Sequence, residues 1–378
     1  MKRSLTVALV LCLAASYTLT LTPGDSVTVS GCTTRLELAG NVLSCAAAPA
    51  TATATVTPTS TATATATATD TATATRTATP TATATRTATN TPAAPTLTPT
   101  YMPVILRGLA IVGDSTQDEY QAPENARPGY NWAEWLVRAR ALPVGAWGSW
   151  GGSRRTGYEF DWARSGAVTY NARYDQAPGV VAQINAGRVS HVLVQIGLND
   201  FAANNLAYLI YSNPAYNATG TLNYSADLII ATAQMLNTAA PGRVIVAAVQ
   251  DYLGLGLIPN PEAGLLSDPA GAARVVAAYA YLNSRVAAGV GAMYWDFNAA
   301  MSAELAPRRS GNSIIVNGQA VSILQRGSGR LNAFISDAYM HPGTTISGLF
   351  AKLYIEQLNA RYSAGIAPLT DAQIMAGP

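Results

Sequence analysis

Short apolar runs alternate with longer amphipathic ones through the last three quarters of this chain. The runs at 109–112, 158–163, 191–196, 243–249 and 292–297 have the length and composition of buried strands. Stretches at 132–142, 178–186, 226–239, 272–287 and 345–360 carry apolar residues at helical spacing. Strands alternating with helices predict an α/β fold. It has three layers, α/β/α, with a central, mostly parallel five-stranded sheet covered on both faces. Within 313–323, Asn317-Gly318 stands between SIIV and QAVSI, which predicts a tight hairpin upstream of the C-terminal helix.

The N-terminal part has a different pattern. Lys2 and Arg3 precede an apolar run at 5–15, and Ala14, Ala15 and Ser16 offer a small-residue cleavage site, so residues 1–16 read as a secretory signal peptide. The run is short for a bilayer span, which takes about 20 apolar residues. A retained membrane anchor is the alternative. Leu11 stands before Cys12 where a lipoprotein signal wants a small residue, so lipidation is not expected. Residues 17–45 read as a small β segment, with Leu36 and Leu38 alternating with polar positions, a Gly40-Asn41 turn, and Val42-Leu43 resuming the strand. Of three cysteines, Cys12 falls in the signal, leaving Cys32 and Cys45. In an oxidising compartment this pair would form a disulfide that staples a unit too small to hold a core alone. Two free thiols in an unstructured arm are the other reading.

Residues 46–100 are almost wholly Thr, Ala and Pro, and Val56 and Leu97 are the only larger apolar side chains there. Such a tract has nothing to pack and reads as a solvated, disordered linker or stalk, whose threonines could carry O-linked sugars. It lowers the charged fraction to 12% and swells the apolar fraction to 49%, so neither figure describes the globular part at 101–378. A net charge of +2 argues against a dedicated nucleic-acid binder. The expected location is secreted or cell-surface, with membrane contact only if the signal segment is retained.

Candidate chemistry sits at strand ends, where ligands bind in α/β sheets. The run LAIV leads into Gly113-Asp114-Ser115, placing a hydroxyl on the first turn after the strand. The same triplet at Gly24-Asp25-Ser26 has no strand-like run before it. A second strand end carries Gly197-Leu198-Asn199-Asp200. A third segment, Asp161 to Ala167, contains Gly166, with Gly151 and Gly152 as alternatives for an unobstructed N–H. A fourth, Asp337 to Pro342, opens the last helix. The chain has only two histidines. His191 begins its strand, away from the expected site, and His341 lies in a Pro-containing loop before a helix. A metal site built on histidines is therefore not expected, but a Ser/His hydrolase needs only one. Five tryptophans, Trp132, Trp135, Trp147, Trp150 and Trp162, read as core or cleft wall, and Trp147 and Trp150 could line a substrate groove. No glycine-rich phosphate loop follows any strand, which excludes the common nucleotide-binding motifs.

In these four blocks the chain resembles the GDSL, or SGNH, hydrolase family: Ser115, Gly166, Asn199 and His341 stand in that family's order within residues 108–360. No G-x-S-x-G elbow surrounds Ser115. The resemblance implies a flavodoxin-like SGNH fold and a serine esterase or lipase without cofactor. Ser115 would be the nucleophile and His341 the base, and Ser115, Gly166 and Asn199 would be the oxyanion donors. The family's acid stands three residues before the histidine. Here that position is Ala338, and Asp337 stands four before His341. Asp337 orients the imidazole if the loop absorbs one residue; otherwise a backbone carbonyl does so and the site is a dyad. The expected substrate is a small-molecule or carbohydrate ester, and deacetylation of carbohydrates suits a stalked exported enzyme acting as a monomer. The shifted Asp337 keeps a second function open, a non-catalytic extracellular binding domain that retains the fold.

Overall fold

The computed structural model describes residues 106–152, 155–202, 206–256, 268–326, 331, 333–335 and 341–378, together with the backbone of five short strands before residue 46. The chain divides into two compact units, Met1–Pro92 and Ala93–Pro378. In the first, strands Leu36–Ala39 and Val42–Cys45 pair antiparallel, with Leu38 opposite Leu43. Thr18–Thr20 pairs with Val42–Cys45, and Ser4–Val7 runs parallel to Ser26–Val29. The signal cleavage site, Cys32, the Cys45 side chain and the Thr/Ala/Pro tract lie outside the described residues.

In the second unit, β1 (Leu109–Gly113), β4 (His191–Gln195), β5 (Val244–Ala247) and β6 (Tyr294–Trp295) form one parallel sheet in the order β1-β4-β5-β6. Every residue of β1, β4 and β5 is buried, which accounts for their apolar character, broken only by His191 and Gln195 at the two ends of β4. Helices flank this sheet. α1 (Trp132–Arg140), α7 (Phe297–Leu305) and α8 (Thr344–Tyr362) pack as one group, with α1 and α7 each against α8. α2 (Ala177–Asn185), α5 (Thr219–Ala239) and α6 (Pro269–Val290) pack as another. Shorter helices α3 (Leu198–Ala202) and α4 (Leu206–Ser212) link β4 to α5, and α9 (Asp371–Ala376) follows α8.

The sheet has four strands among the described residues, not five. The apolar run at 158–163 splits instead. β2 (Trp147–Ser149) pairs antiparallel with β3 (Thr156–Tyr158), and Asp161 makes a single parallel bridge to Ile111. Asp161 ends the ladder because its N–H bonds back to the Tyr158 carbonyl (3.1 Å) and its carboxylate takes the Ala163 N–H (2.9 Å). The last strand shrinks to two residues. A 3₁₀ turn occupies Gly291–Met293, and Asp296 caps α7 by accepting from the Ala299 N–H. The hairpin at 313–323 forms as β8 (Ser313–Val316) and β9 (Gln319–Arg326), after the two-residue β7 (Arg309–Ser310). Asn317 and Gly318 both have positive φ, +48° and +75°, as a type I′ turn requires. β9 pairs parallel with β10 (Ala333–Ile335).

Two contacts bind α1 to α8 and so locate the loop between β10 and α8. The Trp132 ring stacks on Tyr354, centroids 3.9 Å apart. The Trp135 indole N–H donates to the Thr344 carbonyl at 2.8 Å.

Candidate active site

The carboxyl end of β1 runs into one tight turn held by its own side chains. The Asp114 carbonyl accepts from the N–H groups of Gln117 (3.2 Å) and Asp118 (2.9 Å). The Asp114 carboxylate takes both the N–H and the hydroxyl of Thr116, each at 3.0 Å. Gln117 Oε1 accepts from the Asp114 N–H at 2.8 Å. A Cβ on Gly113 would lie 2.3 Å from that oxygen, so only glycine lets the chain turn this closely. Ser115 stands in the middle of the turn, 6% exposed. Among the described residues neither its hydroxyl nor its N–H has a hydrogen-bond partner.

Glutamines brace this turn. Gln117 Nε2 and Gln250 Nε2 both donate to Gln195 Oε1, at 2.9 and 3.1 Å, joining the ends of β1, β4 and β5. The Gln176 amide pairs with the backbone of Gly113 through two bonds, 3.0 and 2.9 Å, and completes the strand's edge. Sequence reasoning missed these residues. The signal was a glutamine closing a fully apolar run, as in HVLVQ and VIVAAVQ.

The segment carrying Gly166 is tied to the serine turn. The Arg164 N–H donates to the Gly113 carbonyl (3.3 Å), and the Ser165 N–H donates to the Asp118 carboxylate (2.6 Å). Asp118 also pairs with the Arg164 guanidinium at 3.4 Å. Gly166 has φ +80°, is exposed, and its N–H has no partner among the described residues. Asn199 enters from β4 through Gly197, whose φ of +126° and 2.8 Å clearance from Val249 leave no room for a side chain. The Asn199 amide donates to the Ala167 carbonyl at 2.9 Å, which fixes its plane next to the Gly166 segment. Asp200 strengthens that join by accepting from the Thr169 N–H (3.0 Å), the Thr169 hydroxyl (2.6 Å) and the Ser225 hydroxyl (2.8 Å).

His341 contacts the far end of the serine loop. Its ring meets Tyr120, at the end of the serine loop, edge-on with centroids 5.9 Å apart. Pro342 bridges to Ile335, and the Gly343 N–H donates to the Phe334 carbonyl at 2.7 Å, so β10 sets the loop. The Thr344 hydroxyl then accepts from the Tyr130 N–H (3.2 Å), and Asn131 donates to the carbonyls of Gln117 (2.7 Å) and Asp118 (2.9 Å). His341 and Ser115 are thus linked through α1 as well as through Tyr120. Asp337 lies outside the described residues. α8, which His341 precedes, is followed by α9 and so is not the chain's last helix.

Burial sets the electrostatics. Asp114 is pushed up to about 6 by desolvation, partly offset by its bonds from Thr116. Asp200 and Asp118 are raised for the same reason, and Glu134, which accepts three backbone N–H groups beside the loop, rises to about 7. His191 lies apart from this cluster. It is buried at the opening residue of β4, against Ser190 and Tyr362, and burial lowers it to about 4. Trp132 and Trp135 are core, whereas Trp147 is 44% exposed.

No protein-family model matches the chain, and no curated protein does. Among solved structures it is similar to a lipase/acylhydrolase from Enterococcus faecalis, at 13% identity over 70% of this chain and all of that one, with a TM-score of 0.36. It is also similar to phospholipase A1 from Streptomyces albidoflavus, at 16% identity over 68% of this chain and all of that one, TM-score 0.38. A Clostridium thermocellum family 3 carbohydrate esterase gives 15% identity over 69% of this chain and 98% of that one, TM-score 0.34. Likenesses this distant carry no argument about the site, which rests on its own geometry.

Proposed function

We propose that this chain hydrolyses carboxylic esters through an acyl-enzyme on Ser115. The observation that supports the reading is the chain of contacts joining the turn after β1, the Gly166 segment, the turn after β4 and the His341 loop. The serine turn bonds to Arg164 and Ser165 beside Gly166, Ala167 bonds to Asn199, and Tyr120 packs on His341. In this reading the Ser115 hydroxyl attacks the ester carbonyl while His341 takes its proton. The C–O bond to the alcohol then breaks, and the same proton goes to the leaving oxygen. Water, deprotonated by His341, cleaves the acyl-serine, releasing the acid and restoring the hydroxyl. The N–H groups of Ser115 and Gly166 and the second amide proton of Asn199 are the donors for the developing oxyanion. Asp337 is the group assigned to orient the imidazole.

The substrate is a small-molecule or carbohydrate ester, met outside the cell if residues 1–16 direct export. Hydrolysis of 4-nitrophenyl acetate by the purified protein tests the reading. Activity lost in Ser115→Ala and His341→Ala supports it, and equal activity in the variants overturns it. Asp337→Asn separates triad from dyad: a loss of several orders of magnitude marks a triad, and a mild loss a dyad.

A further inference from the structure

A cavity of about 490 Å³ opens beside Gly166. Its walls include Arg155, Ser165, Gly166, Asn171, Asp175 and Gln176. The lining is unusual for a small-molecule site, which is ordinarily mostly apolar. Here Ala167 is the only apolar residue besides the glycines. An acyl chain would find few apolar side chains to pack against. A polyhydroxylated ligand would find donors in Arg155 and Ser165 and an acceptor in Asp175. Asn171 Nδ2 donates to Asp175 Oδ2 at 2.8 Å, holding that carboxylate in place with lone pairs to spare.

The wall bearing Asn171 and Asp175 is itself irregular. Residues Ala172–Gln176 form a π turn, a form that recurs at functional sites. The same turns expose two aromatic rings. Tyr170 and Tyr174 are 50% and 52% exposed, with centroids 4.6 Å apart. Both rings lie outside the cavity lining, so the cavity itself offers charged and amide groups, which suit the polar rim of hydroxyls on a sugar ring.

We infer that this cavity is a subsite for a sugar carrying the ester, so that the alcohol released by Ser115 is a carbohydrate hydroxyl. Arg155 and Asp175 are its specificity residues. The inference rests on the ester-hydrolase reading for its chemistry but not for its binding.

The experiment compares wild type with Asp175→Ala on glucose pentaacetate and on 4-nitrophenyl acetate, which has no sugar. The expected result is a rise of about tenfold or more in KM for the sugar ester, the size of one lost charged hydrogen bond. The kcat/KM for the nitrophenyl ester should stay within about twofold, as for a surface substitution away from the reacting atoms. Equal losses on both esters, or no loss on the sugar ester, overturn the inference. Calorimetric titration of wild type and Asp175→Ala with cellotriose, xylotriose and chitotriose reads the subsite without catalysis. If wild type hydrolyses neither ester, the serine reading fails, and the titration still decides this one. Binding weakened by Asp175→Ala supports the subsite, and no binding of any of the three overturns it.

Discussion

Asn199 is the side chain whose role in the site can be measured most cleanly. Its amide is fixed by one bond to the Ala167 carbonyl, and in the proposed reading its other N–H is an oxyanion donor. Asn199→Ala removes that donor and should lower kcat by about 10²–10³, with KM little changed, in steady-state kinetics on 4-nitrophenyl acetate. The buried titratable residues make a second, independent prediction about stability. His191 has a folded value of about 4 against an ordinary value of 6.5, because burial and then Arg243 disfavour its charged form. Between those values the unfolded chain binds the proton and the folded chain does not. The stability that neutral His191 permits is therefore complete above 6.5 and is lost as pH falls toward 4. Asp114 acts in the opposite sense, since its folded value of about 6 exceeds 3.8 and it costs stability as pH rises between them. Comparing wild type with His191→Gln cancels such shared terms. Urea melts from pH 7 to 4 should show wild type losing more stability than the variant. At this scale the strand ends that carry Ser115 and Asn199, and the helix that follows His341, could be read from the sequence, because apolar runs lead into the first two and a Pro-containing loop precedes the third. The Gln117, Gln195 and Gln250 network was harder to read: Gln195 and Gln250 follow apolar runs, but Gln117 sits in a turn and nothing local says that it reaches Gln195.

The join between the serine turn and α1 is the element on which the site's rigidity depends. Asn131 caps α1 in a capping box with Glu134, and its amide also donates to the carbonyls of Gln117 and Asp118. Asn131→Ala removes the cap and leaves two buried carbonyls short of a donor. Thermal or denaturant unfolding should show a loss of about 2–3 kcal/mol. The fully buried strands β1, β4 and β5 were legible because apolar residues dominate where a strand is covered on both faces by helices. The missing fifth strand was not, because its end depends on where the Asp161 carboxylate turns, a contact that leaves no periodicity. α5 begins at Thr219, well before the expected 226, because its first two turns are rich in Gly, Thr, Asn and Ser and hide the helical spacing. The 313–323 hairpin was legible because Asn-Gly is among the few pairs that accept positive φ at both positions of a two-residue turn.

At the scale of the whole molecule, the chain is an α/β unit preceded by a separate N-terminal unit and a Thr/Ala/Pro tract. The parallel sheet sets the turn after β1 beside the turn after β4, and the segment around Gly166 bonds to both, although the three are far apart in sequence. Helices α1 and α8 then bring in 341. No local pattern encodes that meeting; it follows from the parallel order β1-β4-β5-β6 and the packing of the two helix groups. Covalent trapping tests the central claim, that Ser115 is an activated nucleophile, more directly than any rate. The full chain would be treated with a fluorophosphonate, digested, and its peptides weighed. The account predicts one phosphonyl adduct, on Ser115, with 4-nitrophenyl acetate hydrolysis lost in parallel and no adduct in His341→Ala. An unmodified Ser115 in folded protein, or hydrolysis that survives complete labelling, would contradict it.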